Sequence, residues 1–397
     1  MADPTRGGSG TRTVITCMLA NNFTLGLVYG SFGALLVGNE QALGVARGTI
    51  SFGMSAISTT LGLSALVMGN LVRRLTPRWS IAIGVVATAI GFAGLSETSD
   101  FRLALALWAL LGFGAALAAI LGPVAIAAEH FPGKAGKVLG LINLPLVLFI
   151  APWAVTEAMH VLGRHGTYLL FGALLLPVLA LVLTLPVGNA ERGRHDPVAT
   201  RKGPIVSRAD FWLISLGIGL IAGTGTAYVS HGIAYAESRG LSAPSAALIM
   251  SAYSGAGLLG VLVFGWLADR IGGARTLALS AVVQCLSWAG LALSPPAGFL
   301  LLSAVLGVAT TPLTTLHGAA MAQLFGPGGV SRAMGYSFAI KLPFLFATSP
   351  LLGFAYVRMG DYRPGYLMVA AGLVGAAMLL MAGHFAQNRE HGRPVPA

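Results

Sequence analysis

The stretch GWLADRIGGAR at positions 265–275 separates two long apolar runs, and part of it occurs earlier in the chain. The earlier copy, GNLVRR at positions 69–74, begins 196 residues before it. A second pair has nearly the same offset, because KVLG at 137–140 is followed 195 residues later by RAMG at 332–335. Two matches at nearly one offset indicate a duplicated unit whose copies run in the same direction.

The composition requires most of the surface to face lipid. Hydrophobic residues make up 55% of the 397 residues and charged residues 9%, whereas a soluble domain carries about 25% charged residues. A bilayer core of about 30 Å takes roughly 20 apolar residues in a helix. Twelve apolar runs fit this length: 13–38, 48–72, 79–97, 102–128, 136–158, 166–187, 209–232, 243–268, 274–293, 297–324, 333–356 and 364–386. We therefore predict an all-α integral membrane protein with twelve transmembrane helices in two pseudo-symmetric six-helix bundles.

Polar segments give the domain boundaries. We predict an N-terminal tail at 1–12, a six-helix bundle at 13–187, a linker at 188–208, a second bundle at 209–386 and a C-terminal tail at 387–397. The linker is the longest polar stretch, and it divides the chain near its middle.

The 24 lysine and arginine residues are distributed unequally between the two sides of the membrane. Six fall opposite the N-terminus: Arg47, Arg102, Arg164, Arg239, Arg358 and Arg363. Lys341 falls inside a run, and the remaining 17 share the side of both termini. Because positive charge accumulates in cytoplasmic loops, we expect both termini in the cytoplasm and a plasma-membrane location, the bacterial inner membrane in particular. The net charge of +11 orients the chain in lipid and does not indicate a nucleic-acid partner.

The stretch at 265–275 closely resembles the short loop motif of the major facilitator superfamily. The resemblance implies the twelve-helix fold of that superfamily, and it implies that charged residues of this loop latch the two halves on the cytoplasmic side. The residues that match the motif are Gly69, Arg73, Arg74, Gly265, Asp269 and Arg270. The N-terminal copy departs from the family because Arg73 stands where an aspartate is usual, and this puts the latch of that half in doubt.

Within the superfamily the chain resembles the monocarboxylate and oxalate–formate transporter branch. The carriers of this branch are similar at Tyr29–Phe32, Leu43–Ser51 and Phe131–Gly140. The oxalate carriers have a lysine in the eleventh helix nine residues before a proline, as Lys341 stands before Pro350, and a binding-site tyrosine where Tyr29 stands. One departure is Val261, since the branch usually has an arginine there. A single cationic site fits a monoanion better than a dicarboxylate.

Lys341 is the sharpest signal for a binding site. It lies about ten residues into the eleventh run, among apolar neighbours that include Phe338. An ammonium at that depth costs about 2.5–3.5 kcal/mol. No acidic residue lies at a similar depth in the sequence, so a solute carboxylate would supply the missing counter-charge. The alternatives are a group that changes protonation during transport, or a structural pairing with helix-end carbonyls or a carboxylate.

Further polar residues interrupt the apolar runs. Tyr228 and His231, in a run that Gly223, Gly225 and Gly232 would loosen, are candidate hydrogen-bonding groups for a solute or an interfacial aromatic pair. Asn143 is a candidate donor to a carboxylate or a bond between two helices. Thr311, Thr314 and Thr315 share a helical face, and they line a pathway or bond to their own helix. His317 and Met321 form a pair compatible with a soft metal.

The sequence contains no phosphate-binding loop, no paired catalytic carboxylates and no nucleophile–base arrangement. We expect no enzyme, no catalytic residue, no cofactor and no metal site. The expected function is secondary active or facilitative transport of a small organic anion, a monocarboxylate or related carboxylate, by alternating access with the solute between the halves. Its substrate-binding residues would be Lys341, Tyr29, Tyr228, His231, Asn143 and Phe338. The partners would be this anion, a proton or counter-anion, and the lipid bilayer, with the chain a monomer.

The sequence leaves two other functions open. The alternative is an efflux carrier of this superfamily for a neutral or amphipathic compound, although the fifth run lacks the Gly-Pro pattern of the superfamily's drug antiporters. A third hypothesis is a membrane sensor or assembly factor on a transporter fold, which would move no solute.

Overall fold

The structure is a computed structural model that describes residues 4–67, 76–131, 135–185 and 205–391. Throughout this described part the chain forms helices, and it forms no strand. The predicted all-α fold is therefore confirmed. The chain divides into two compact units, Met1–Gly193 and Arg194–Ala397, and each is described by itself.

The N-terminal unit contains nine α-helices within the described residues. They are α1 (Pro4–Asn21), α2 (Leu27–Leu43), α3 (Arg47–Ile50), α4 (Phe52–Val67), α5 (Pro77–Glu97), α6 (Phe101–Ala115), α7 (Gly122–His130), α8 (Ala135–Ile142) and α9 (Leu146–Leu183). A π-helix at Asn22–Gly26 joins α1 to α2, and another at Ala116–Leu121 joins α6 to α7. Within α9, Gly163 has a φ of 65° that interrupts the helical backbone.

The C-terminal unit contains six α-helices within the described residues. They are α10 (Ala209–Ser238), α11 (Ala243–Ile271), α12 (Gly273–Leu293), α13 (Phe299–Thr310), α14 (Leu313–Met359) and α15 (Arg363–His391). Short 3-10 turns precede α10 and α13, at Ile205–Ser207 and Pro296–Gly298. Gly326, with a φ of 67°, divides α14 into two helical parts.

Ten segments of the described residues are long and apolar enough to cross a membrane. One of them, Val138–Leu183, has 46 residues and contains the interruption at Gly163. At about 1.5 Å per residue it is long enough for two crossings. Helix α4 has 16 residues within the described part, and its apolar run continues in the sequence beyond Val67. The count of twelve spans stays a prediction.

The duplication in the sequence also appears in the packing of each unit. A Cβ atom on Gly112 of α6 would overlap the Ile57 carbonyl of α4. In the same way, a Cβ on Gly307 of α13 would overlap the Tyr253 carbonyl of α11. Gly307 follows Gly112 by 195 positions, and Tyr253 follows Ile57 by 196. Small residues allow helix backbones to approach this closely in a membrane, so both units use one device at corresponding positions.

A second glycine contact occurs in both units, with α9 in one and α14 in the other. A Cβ on Gly26, at the start of α2, would lie 2.9 Å from the Val147 Cβ atom of α9. A Cβ on Gly223 of α10 would lie 2.8 Å from the Phe344 carbonyl oxygen of α14. Gly223 follows Gly26 by 197 positions, and Phe344 follows Val147 by the same number. A glycine therefore permits a close approach to α9 in one unit and to α14 in the other.

The loop motif of the C-terminal unit lies at the junction of α11 and α12. Gly272 has a φ of 90°, a backbone conformation that favours glycine. The Gly273 N–H donates to Gln323 Oε1 of α14 at 2.8 Å, which ties the junction to that helix. Gly265, about two helical turns earlier, has open space where a side chain would project.

The charged residues of this motif differ in their contacts. The Arg270 guanidinium carbon lies 4.1 Å from the centre of the Trp266 ring, and Asp269 is exposed. Arg270 is thus held by an aromatic face of its own helix. The corresponding N-terminal residues Gly69, Arg73 and Arg74 lie outside the described residues, and so does most of the predicted linker. The latch that the resemblance implies stays a prediction.

Candidate functional site

Lys341 lies deep in the apolar part of α14. It is nine residues into the candidate span Arg332–Met359, about 14 Å along the helix axis, which is close to half of a bilayer core of about 30 Å. The residue is 8% exposed. Among the described lysine and arginine residues it is the one that is buried.

The Lys341 ammonium contacts an aromatic ring. Its Nζ atom lies 3.8 Å from the centre of the Phe338 ring, which precedes it by one helical turn. Such a cation–π contact stabilises a desolvated cation by about 2 kcal/mol. Within the described part of the chain, Lys341 has no hydrogen bond and no ion pair.

His317 and Ser337 extend the polar cluster around Lys341. His317 is fully buried, and its Nε2 atom lies 2.8 Å from the Ser337 hydroxyl, one turn before Lys341 on α14. Because Gly326 divides α14 between them, the two sides of this cluster come from two helical parts. His317 and Met321, the predicted soft-metal pair, are both fully buried, and their binding of a metal stays a prediction.

Three threonines near the start of α14 share one exposed face, as their spacing predicts. Thr311, Thr314 and Thr315 are exposed, whereas Pro312 and Leu316 between and beside them are buried. The Thr311 hydroxyl lies beside Gly257 of α11, so it packs against a neighbouring helix.

Tyr228 lies in the interior of the C-terminal unit. It is 1% exposed, and its hydroxyl forms a short hydrogen bond with Ser303 of α13. Its ring packs edge-on against Trp288 of α12, with centroids 5.5 Å apart. Tyr228 makes a helix-packing contact, because its hydroxyl and its ring both have partners within the unit.

His231 also has both ring nitrogens engaged within the unit. Nδ1 lies 3.1 Å from the Tyr362 hydroxyl, and Nε2 lies 3.0 Å from the Ser349 carbonyl oxygen. Since the carbonyl can only accept, Nε2 carries the proton and Nδ1 accepts from Tyr362. We therefore leave Tyr228 and His231 out of the proposed binding site.

The glycines of α10 do not loosen this helix, contrary to the expectation from sequence. Helix α10 runs without interruption from Ala209 to Ser238. Side chains of neighbouring helices fill the space beside two of these glycines, Thr348 at Gly223 and Met250 at Gly232. The glycines therefore serve close packing.

His231→Ala is expected to lower stability without changing solute affinity. The substitution removes two hydrogen bonds and leaves a cavity, and the two effects together cost about 2–4 kcal/mol. Melting of the purified protein and the KM for uptake by the folded fraction would be measured side by side. A raised KM at unchanged stability would return His231 to the binding site.

Tyr29 and Asn143 belong to the N-terminal unit. The Tyr29 hydroxyl lies 3.1 Å from the Ser58 hydroxyl and so joins α2 to α4. Asn143 lies in the break between α8 and α9, and its Oδ1 accepts a hydrogen bond of 2.9 Å from Asn21 Nδ2. Asn143 thus joins two helices, as one of the two sequence interpretations predicts, yet its side chain is exposed.

Sequence reasoning overlooked Asn21 and Asn22. Both are buried at the end of α1, and both bond to the break between α8 and α9. Two adjacent amides inside an apolar run were the available signal, since polar side chains at membrane depth need partners. The π-helix that begins at Asn22 has no sequence signature of this kind, although π-helical turns are frequent at functional sites.

Comparison with known proteins identifies the family. The Major Facilitator Superfamily model matches residues 18–336 and 216–396. Monocarboxylate transporter 13 of Bos taurus is 27% identical, over 97% of this chain and 92% of that protein. An MFS-type transporter of Aspergillus fumigatus is 23% identical, over 82% of each chain. The crystal structure of the nucleoside transporter NupG shares the fold, with a TM-score of 0.74 and 15% identity over 95% of this chain and 99% of that one. The chain belongs to the Major Facilitator Superfamily and is a membrane transporter.

Proposed function

We propose that this chain carries a small organic monoanion, a monocarboxylate or a related carboxylate, across the plasma membrane by alternating access. The observation that carries the proposal is the buried ammonium of Lys341, which has an aromatic ring beside it and no anion among the described residues. The relative named as a monocarboxylate transporter, which aligns with 97% of this chain, also supports it.

The energetics of Lys341 favour an anionic solute. A lone ammonium at this depth costs about 2.5–3.5 kcal/mol, and the Phe338 ring offsets part of this. A solute carboxylate would neutralise the charge and accept charge-assisted hydrogen bonds from the ammonium. The site therefore gains more from a carboxylate than from a neutral group of the same size.

The number of buried cations favours one negative charge over two. Val261 stands where carriers of this branch usually have an arginine, and Lys341 is the buried cation among the described residues. The second carboxylate of a dicarboxylate would lose its hydration without gaining a counter-charge. We therefore propose that monocarboxylates bind better than dicarboxylates.

Proton coupling through a buried acid gains no support. Asp210, the buried carboxylate among the described residues, forms an ion pair with Arg208 at the start of α10. The proposal thus covers uniport, proton symport and anion exchange.

The excess of lysine and arginine on one side supports cytoplasmic termini, in a bacterial inner membrane.

Ligand-dependent thermal stability tests the proposal. A ligand that binds the folded state raises apparent stability by about 2.7 kcal/mol at one hundred times its Kd. The purified protein is expected to melt at higher temperature with small monocarboxylates, and Lys341→Ala is expected to lose this shift.

Arg358→Ala is the matched control, because Arg358 is an exposed cation near the end of the same helix. It should keep the full shift. No shift with any carboxylate, or equal shifts in parent and Lys341→Ala, would contradict the proposal and favour efflux of uncharged compounds.

A further inference from the structure

We infer that Asn143 is a hydrogen-bond donor to the transported solute and that Asn21 is the positioning residue that turns the Asn143 amide so that its NH2 group faces this solute. The inference rests on the proposed function, because it names a further contact for the same class of solute. It is carried by the bonds around the break between α8 and α9 in the N-terminal unit.

The direction of the Asn143 amide follows from the partners of Asn21. Asn21 Nδ2 donates to the Ala119 carbonyl oxygen at 3.0 Å, and a carbonyl can only accept. This bond fixes which end of the Asn21 amide is nitrogen, and the same nitrogen faces Asn143 at 2.9 Å. Asn143 must therefore meet it with its oxygen. The Asn143 NH2 group consequently points away from Asn21.

Asn22 fixes the position of the break itself. Its Nδ2 donates to the Leu144 carbonyl and its Oδ1 accepts from the Val147 N–H, each at 2.9 Å. Pro145 lies between these two residues and has no N–H, so the helical bonding is lost there. The Asn22 side chain replaces part of it. Asn143 is thus presented from a fixed segment and not from a loose loop.

Three helices are irregular where this cluster lies. The break at Asn143 meets a π-helix that begins at Asn22 and another that contains Ala119. Each irregularity widens the helix and frees backbone groups, and such turns are frequent at functional sites. The hydrogen bonds of Asn21 and Asn22 connect all three irregular segments. Helix packing alone does not require so many buried polar contacts.

The surroundings of Asn143 indicate a polar path. Asn143 is exposed although it lies within the candidate span Val138–Leu183. Its Nδ2 atom has no hydrogen-bond partner in the described part of the chain. An amide NH2 that faced hydrocarbon would leave two donors unsatisfied at a cost of several kcal/mol. Polar groups at this depth accordingly face a water-filled cavity.

The polarity of the exposed amide group gives a selectivity. The group that points away from Asn21 is the Asn143 NH2, which only donates. A carboxylate oxygen or a 2-oxo group accepts a hydrogen bond from this NH2 group. An ammonium group only donates, so it would meet another donor there. We therefore expect 2-oxo and 2-hydroxy monocarboxylates to be carried in preference to the amino acid of the same size.

Uptake of pyruvate, lactate and alanine into proteoliposomes with the full-length protein tests the inference. Asn143→Asp keeps the size and the acceptor for Asn21 but presents an oxygen to the solute. We expect its KM for pyruvate to rise about tenfold, with kcat changed less than about twofold, and its preference for pyruvate over alanine to fall. Asn21→Ala should raise the same KM about three- to fivefold, because the released amide loses its fixed direction.

Thr24→Val is the matched control. Thr24 lies in the same π-helix, and its hydroxyl bonds to the Ala20 carbonyl of its own helix at 2.6 Å. The KM of the Thr24→Val variant for pyruvate should equal that of the parent. If the parent takes up pyruvate and both asparagine variants keep its KM, or if the control changes equally, the inference is wrong while the proposed function stands. If the parent takes up neither pyruvate nor lactate, this inference is wrong. If it takes up no small monocarboxylate at all, the proposed function fails as well.

Discussion

Lys341→Met is expected to abolish saturable monocarboxylate uptake while the protein stays at least as stable as the parent. Methionine keeps an unbranched apolar side chain and removes the ammonium. Loss of one partner from a buried charged contact costs about 2–5 kcal/mol in binding, which lowers affinity by roughly 30-fold to several thousand-fold. The empty protein is relieved of a desolvated charge, so its unfolding free energy should not fall. Initial uptake rates over a wide concentration range, together with melting in detergent, measure both effects.

The chain offers informative controls for this substitution. Lys341→Arg keeps the charge and should retain measurable uptake with a raised KM, because the guanidinium has another shape. Arg358→Ala removes an exposed cation of the same helix and should leave KM unchanged. A parental KM in Lys341→Met would exclude a binding role for this lysine.

Gly307→Ala is expected to cause the largest loss of folded protein among single methyl additions in the C-terminal unit. The new Cβ would overlap the Tyr253 carbonyl of α11, and a backbone atom cannot rotate away as a side chain can. The two helices must separate along their contact, which costs about 1–3 kcal/mol or more. The yield of monodisperse protein and its melting temperature would both fall.

Gly375→Ala is the matched control, since no atom lies within 4 Å of the Cβ that it would add on α15. It should be neutral or stabilising, because alanine favours a helix over glycine by about 1 kcal/mol. Gly112→Ala should resemble Gly307→Ala, because Gly112 makes the corresponding contact with Ile57. Equal stability of Gly307→Ala and Gly375→Ala would contradict the close approach of α11 and α13.

The fold could be predicted because its determinants are local or periodic. Apolar runs of membrane length and the loop motif at 265–275 can both be read without knowing any contact. The offset near 196 also predicted equivalent units, and the repeated glycine contacts bear this out. Lys341 could be found in the same way, since a charge inside an apolar run is unusual wherever the helix points.

The remaining site residues depend on packing that the sequence does not express. Tyr228 and His231 are polar residues in an apolar run, as Lys341 is, yet their partners come from 75 to 131 positions later in the chain. Asn21 acts only through Asn143, 122 positions away. Such distant contacts decide whether a buried polar group has a partner within the protein or is left for a solute. The structure shows these contacts, so it distinguishes Tyr228 and His231 from Lys341.

The contact between Lys341 and Phe338 has a consequence for the unloaded carrier. In every transport cycle without exchange, the empty protein must return to its starting side with its binding group vacant. A bare ammonium in the membrane interior would slow this return. The Phe338 ring, 3.8 Å from Nζ, gives the charge a resident partner that a carboxylate can displace. The affinity for the solute is then set by the difference in free energy between the carboxylate contact and the Phe338 contact of Lys341. The solute is therefore held weakly enough to be released on the far side.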